Sequence, residues 1–308
     1  MRIGLIDVDG HHFPNIPLMK LSAWHKSQGD SVEWHVPLLS GHLDKACMSK
    51  VFSFTPDYPY PVDADEIVRG GSGYCISKQN VREVYDGSKD IPLPDEIDHA
   101  FPDYSLYPEF CENTAYGFLT RGCPRGCGFC RVGAKEGRAS RKAAGLSEFW
   151  DGKKKNIVLC DPNVLACPDC PELLGQLAES GAWLDFNQGL DIRLLDGSAL
   201  ELLMKIKLKG ARLSWDRYED GGDVLPKLEA FKKATGFGQH EVVVYVLCNY
   251  DTTLEQDLER IQKCRELDFR PFPMIYDKEH ADPVYKKLQR WCNPHVFWKV
   301  PRFKDYKR

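Results

Sequence analysis

Between Thr114 and Asp277 the sequence alternates six times between short apolar runs and amphipathic stretches, and this alternation constrains the fold more than any other feature. The strand candidates are Ala115 to Leu119, Ile157 to Cys160, Leu184 to Asn187, Arg212 to Trp215, Val242 to Leu247 and Arg270 to Ile275. Helical stretches are expected at Ser140 to Trp150, Pro171 to Ser180, Gly197 to Leu208, Val224 to Ala234 and Leu254 to Glu266, each with apolar residues three and four apart. Strands joined by helices run parallel, because each crossover packs back on the sheet with a right-handed connection. Six such units can curl into a partial (β/α)6 barrel whose reactive groups gather at the C-terminal strand ends. Polar residues follow nearly every candidate strand here.

The sequence ahead of this region reads as a small Rossmann-like α/β domain over residues 1–80. Its expected elements are a strand from Arg2 to Val8, a helix from Ile16 to about Gln28 closed by Gly29-Asp30, and strands at Ser31 to Val36, Lys50 to Thr55 and Glu66 to Val68. Residues 81–113 are broken by Pro92, Pro94, Pro102 and Pro108 and read as a connector. The α/β barrel region then spans 114–280, and a basic aromatic segment covers 281–308. No apolar run approaches the ~20 residues that span a bilayer, and Met1 leads at once into Arg2, Asp7 and Asp9, so neither membrane anchor nor export signal is expected. With 41 Lys and Arg against 45 Asp and Glu the net charge is -4, and only local patches can argue for nucleic acid. The reading is of a cytoplasmic protein.

Twelve cysteines are many for such a chain, and a reducing compartment favours cofactor ligation over disulfides. Seven stand singly, at Cys47, Cys75, Cys111, Cys160, Cys248, Cys264 and Cys292, and read as small buried hydrophobes. The informative group is Thr120-Arg121-Gly122-Cys123-Pro124-Arg125-Gly126-Cys127-Gly128-Phe129-Cys130, with three thiols at C-x3-C-x2-C spacing directly after a strand. Its glycines, Gly122, Gly126 and Gly128, permit close backbone approach. Three thiolates, Cys123, Cys127 and Cys130, would hold three irons of a [4Fe-4S] cluster and leave the fourth open to substrate. A structural zinc site would need a fourth ligand, from Cys111 or farther away. The pair Cys167/Cys170 has C-x2-C spacing with Cys160 upstream, but it begins a helix without an obvious fourth ligand and is read as free thiols.

This cysteine spacing on the first strand of a six-unit β/α array resembles the radical S-adenosylmethionine (radical SAM) superfamily, over about Thr114 to Asp277. The resemblance implies that the open iron chelates the amino and carboxylate groups of S-adenosylmethionine (SAM). One electron, from flavodoxin or ferredoxin, then yields methionine and a 5'-deoxyadenosyl radical that takes hydrogen from a substrate. It implies SAM contacts at Phe129, before the third cysteine, and at Asp161 and Asn163 after the second strand. Further contacts are implied at Gln188, Asp191 and Arg193 after the third, Ser214 and Asp216 at the fourth and Asn249 at the fifth, with Arg193 suited to a carboxylate and Asp216 to the ribose hydroxyls. The glycine-rich turn that family members often carry after the fifth strand is replaced here by Cys248-Asn249-Tyr250-Asp251. Asp161, Asp196 and Asp251 precede helices, so helix capping is the plain alternative for them.

Asp9-Gly10-His11 is similar to the D-x-H start of the cobalamin-binding loop found ahead of many radical SAM barrels, but Pro14 stands at its glycine and the domain is short. A cofactor-free domain that shapes the site or docks a partner is therefore expected, with His11 and His12 as candidates for proton transfer. Cobalamin-dependent methyl transfer is the alternative. In the tail, Lys286, Lys287, Arg290, Lys299, Arg302, Lys304, Lys307 and Arg308 interleave with Trp291, Phe297, Trp298, Phe303 and Tyr306, which suits nucleic acid, while a helix packed on the barrel would look similar. A reading of a different class is a non-enzymatic, zinc-stabilised nucleic-acid-binding protein. The substrate of an enzyme, nucleic acid or peptide, is not encoded in any motif.

Overall fold

The computed structural model describes residues 1–79 and 82–307; the domain boundary expected at 80 and 81, and Arg308 of the basic tail, lie outside them. The chain is α/β and divides into two compact units, 1–158 and 159–308. Among the described residues no helix is long and apolar enough to cross a membrane.

Unit 1 begins with β1 (Arg2–Asp7), α1 (Ile16–Ser27), β2 (Ser31–Trp34), β3 (Leu43–Ser49) and β4 (Ala64–Gly70). These strands form a wholly parallel sheet in the order β2-β1-β3-β4. Burial of Ile3, Leu5, Leu18 and Cys47 packs α1 on it. Asn15 starts α1 by accepting from the Leu18 amide at 3.2 Å, and its own amide donates to the Ser49 hydroxyl at 2.9 Å, fixing the helix to the end of β3.

The third strand lies at Leu43–Ser49 rather than at Lys50 to Thr55. The latter segment alternates like a strand, but Phe52 and Phe54 are exposed and the Asp9 carboxylate accepts from the Val51 and Phe52 amides and the Thr55 hydroxyl. A side chain thus satisfies the backbone that a ladder would otherwise pair. The segment then runs through single helical turns α2 (Ser72–Cys75), α3 (Asp95–Asp98) and α4 (Pro108–Cys111), with an antiparallel hairpin of β5 (Ile76–Gln79) and β6 (Arg82–Tyr85) after α2. β7 (Thr114–Gly117) and β8 (Thr120–Arg121) lead into the cysteine loop, α5 (Val132–Lys135) lies within it, and β9 (Arg141–Lys142) closes it.

No helix forms over Ser140 to Trp150: β9 is followed by a single 3-10 turn at Leu146–Glu148. Glu148 folds back to accept from the Gly145 amide at 2.6 Å, and the Phe149 ring lies so close over Gly117 that a Cβ there would come within 2.3 Å of it. Sealing β7 with one buried ring replaces the crossover helix.

β10 (Asn156–Leu159) carries the chain into unit 2, which contains β11 (Trp183–Phe186), β12 (Lys207–Leu208), β13 (Ala211–Ser214), β14 (Val242–Cys248) and β15 (Arg270–Ile275). Its helices are α6 (Cys170–Ser180), α7 (Gly197–Leu203), α8 (Gly221–Thr235), α9 (Leu254–Glu266), α10 (Pro283–Trp291) and α11 (Pro294–Phe297). β13, β14 and β15 form a parallel sheet, β11 pairs in parallel with β12, and a parallel bridge joins Leu190 to Leu213. The Asn187 amide donates to the Leu159 carbonyl at 2.8 Å, so strand neighbours in sequence are also neighbours in space through this unit. α7 stops at Leu203 because Lys205 to Lys209 alternates with period two, burying Ile206 and Leu208 and leaving the lysines exposed, which is strand chemistry.

One charged pair organises the strand ends of this unit. Asp257 and Arg260 on α9 are both fully buried and ion-paired. Arg260 also donates to the carbonyls of Trp215 (2.6 Å), Asp216 (3.0 Å) and Leu247 (2.7 Å), while Asp257 accepts from the Asn249 amide at 3.1 Å. Arg260→Met would strand Asp257 and three carbonyls, so urea denaturation should show a loss of about 3–5 kcal/mol. A loss below about 1 kcal/mol would contradict the clamp.

Candidate functional site

The cysteine loop is shut at its base by a two-residue antiparallel ladder, Thr120 with Lys142 and Arg121 with Arg141. Inside that neck Glu136 accepts from the Gly122 amide at 3.1 Å and pairs with Arg121 at 3.3 Å. The Cys123 amide donates to Gly137 and the Cys130 amide to Cys127, at 3.2 and 3.0 Å. Gly122 has φ of +85°, and a Cβ there would meet the Ala139 carbonyl oxygen at 2.1 Å; only glycine fits. Gly126, at φ +61°, lies under the Arg138 guanidinium. Phe129 is half-buried.

Cys123 and Cys127 are partly exposed and Cys130 is exposed, whereas the other nine cysteines are buried. Burial pushes the thiols of Cys47, Cys111 and Cys170 up to about 11 and that of Cys264 up to about 12, and raises Cys75, Cys248 and Cys292 as well. Those thiols stay protonated and inert at neutral pH. Of the C-x2-C pair, Cys170 belongs to this set, and Cys167 is likewise buried. Among the described residues, no three His, Cys, Asp or Glu side chains are drawn together as a preformed metal site. The fitness of the loop for a metal cluster rests on its donor chemistry, three accessible thiols within eight residues, and on the glycine-only backbone beside Cys123.

In unit 2 the structure joins most of the polar residues singled out in the sequence into one network. Asn163, buried after β10, donates to Asp191 at 3.3 Å. Arg193 pairs with Asp191 at 2.8 Å and with Asp220 at 2.9 Å, so those donors are given to two carboxylates of the chain. Burial opposes the charge on Arg193, but these partners outweigh it and hold the guanidinium above its usual range. Asp216 lies in the same field, hydrogen-bonded to Ser214 and attracted by Arg193. Asp161 is buried close by in sequence, and the turn at Val164–Ala166 starts at Asn163, so Asp161 is not its cap. Asp196 caps α7 through the Ala199 amide at 2.8 Å, whereas α9 is capped by Thr253 rather than Asp251. Gln188 is exposed, and its side chain makes no hydrogen bond among the described residues.

The turn after β14 explains its missing glycine. Asn249 and Asp251 take φ of +63° and +50°, the left-handed conformation that Asn and Asp tolerate best after glycine. The Asn249 amide group donates to the Tyr276 carbonyl at 3.0 Å, so this side chain joins two loops of the unit. Sequence reading passed over Asp257 and Arg260. Their signal was two charges among the buried positions 257, 260, 261 and 264, one face of α9.

His11 and His12 are exposed on unit 1. The His11 ring lies 4.2 Å from that of Trp34 and 5.8 Å from that of Tyr107, whose hydroxyl donates to Asp7 at 2.7 Å. Asp9 is committed to the loop at 51–55. In the tail, Trp291, Phe297 and Tyr306 are buried, and the Arg265 guanidinium lies over the Phe297 ring at 3.7 Å. These rings are core, not an exposed stacking surface. No protein-family model and no curated protein matches the chain.

Burial pushes the Asp216 carboxyl above the usual range, with Arg193, Ser214 and Arg260 pulling it back. The folded chain therefore holds this proton more tightly than the unfolded one, and the stability that protonation confers is lost as pH rises from the ordinary aspartate value through the raised one. Relative to the parent chain, Asp216→Asn should gain Tm across that window and level off above it. A difference independent of pH contradicts this.

Proposed function

We propose that the chain is a cytoplasmic radical SAM enzyme in which Cys123, Cys127 and Cys130 hold a [4Fe-4S] cluster. The carrying observation is the partition of the cysteines: nine are buried, and the three that reach solvent are those of the C-x3-C-x2-C loop. A metal-cluster loop needs reactive thiols on a backbone that can wrap closely, and the Gly122 conformation supplies that wrap. When bound, the cluster would supply the electron that splits SAM into methionine and a 5'-deoxyadenosyl radical, drawn from flavodoxin or ferredoxin. The sequential order of β10, β11, β13, β14 and β15 supports a partial (β/α)6 barrel.

Within this reading Phe129, Asp161, Asn163, Gln188, Asp191, Arg193, Ser214, Asp216 and Asn249 bind SAM. Their charges set which part of SAM each group takes. The cluster holds four carboxylates, Asp191, Asp216, Asp220 and Asp257, against two guanidiniums, Arg193 and Arg260. That excess negative charge suits the ammonium and sulfonium of SAM better than its carboxylate. Besides any contact of its own with SAM, Arg193 spaces Asp191 and Asp220 and offsets their mutual repulsion. His11 and His12 are the groups proposed to exchange protons with substrate, a nucleic acid or peptide.

The test is anaerobic. Full-length chain reconstituted with iron and sulfide, given dithionite and SAM, should release methionine and 5'-deoxyadenosine, and Cys127→Ser should abolish both. A reconstituted chain with a complete cluster that releases neither product overturns the reading.

A further inference from the structure

A trough of about 800 Å³ opens in unit 2, lined by Lys278, Lys286, Gln289, Arg290, Asn293 and Tyr306, with Val296. Lys286, Gln289, Arg290 and Asn293 recur at three- and four-residue spacing along one side of α10 and its C-terminal end, opposite the buried Tyr285, Leu288 and Trp291. Lys278 joins them from the turn after β15.

Among the described residues none of Lys278, Lys286 and Arg290 has a carboxylate within ion-pair distance, although the chain as a whole is acidic at -4. Three of the neighbouring acids are occupied elsewhere. Asp277 pairs with His280 at 2.9 Å, Asp282 caps α10 through the Val284 amide at 2.8 Å, and Asp305 pairs with Arg302 at 2.7 Å. Three exposed cations that line one trough and have no ion-pair partner among the described residues make it favourable for an anion. Of the tail's aromatic rings, Trp291, Phe297 and Tyr306 are buried and offer bases no platform, which leaves the phosphates as the main handle.

We propose that this trough binds nucleic acid through its phosphates alone, with Lys278, Lys286 and Arg290 as the contacts. Such a site is indifferent to sequence and strand number and steeply dependent on salt. Three phosphate contacts give a slope of log K against log salt of about -2.7 for duplex DNA. The proposal does not rest on the radical SAM reading, and its failure leaves that reading untouched.

The experiment titrates full-length chain into fluorescent duplex and single-stranded oligonucleotides of unrelated sequence, with pyrophosphate and polyglutamate as competitors. The triple variant Lys278→Gln, Lys286→Gln, Arg290→Gln changes only exposed side chains, and circular dichroism checks its fold. Support is binding of both oligonucleotides with the expected slope, weakened at least about 10-fold and with the slope flattened in the variant. The proposal is overturned by absence of binding at low salt, by parent-like binding in the folded variant, or by a strong sequence or single-strand preference. Displacement by pyrophosphate or polyglutamate as effective as by unlabelled oligonucleotide also overturns it, by assigning the trough to a small anion or an acidic peptide.

Discussion

The buried pair of Asp257 and Arg260 is the constraint on which the second unit depends. One guanidinium, without access to water, takes three main-chain carbonyls at the ends of β13 and β14, and its carboxylate partner takes the amide that opens the following turn. Desolvating both charges is costly, and the cost is offset only because nearly every donor has an acceptor in place. The strand ends are therefore set by α9, and with them the positions of Asp216 and Asn249. The same helix anchors the tail, since Arg265 lies on Phe297 and donates to its carbonyl at 2.5 Å.

Unit 1 solves a different problem. Its cysteine loop keeps three thiols at the surface on one short stretch of fixed backbone. A two-residue ladder and Glu136 close the neck, and beyond it the backbone relies on glycine where the Ala139 carbonyl leaves no room for a side chain. Elsewhere burial raises the thiols of Cys47, Cys75, Cys111, Cys170, Cys248, Cys264 and Cys292, and the cysteines that reach solvent are those of the loop.

β14 was legible because its run is continuous and β-branched, Val242-Val243-Val244, which suits a central strand with parallel partners on both edges. Errors arose where a single side chain overrode the local pattern. Asp9 drew Val51 to Thr55 away from a ladder, Phe149 over Gly117 removed a crossover helix, and Lys205 to Lys209 carried a strand period at the end of a helical one. In the site, the cysteine spacing and the polar residues Asn163, Asp191, Arg193 and Asp216 stand out in the sequence, and the structure joins the latter four in one network. Asp220, Asp257 and Arg260 were not, because a turn acid and a charged pair on an apolar face acquire meaning only when distant strands bring their partners. In the tail, Trp291, Phe297 and Tyr306 are spaced among cations like a stacking surface but are buried, whereas Trp298 and Phe303 are half-buried.

The most direct test of the cluster assignment is electron paramagnetic resonance of the anaerobically reconstituted, reduced chain before and after SAM is added. The account predicts a reduced [4Fe-4S] signal whose g-values shift when SAM binds at an iron that no cysteine holds. A signal unchanged by SAM, or one that persists in a variant with Cys123, Cys127 and Cys130 all replaced by alanine, would contradict it.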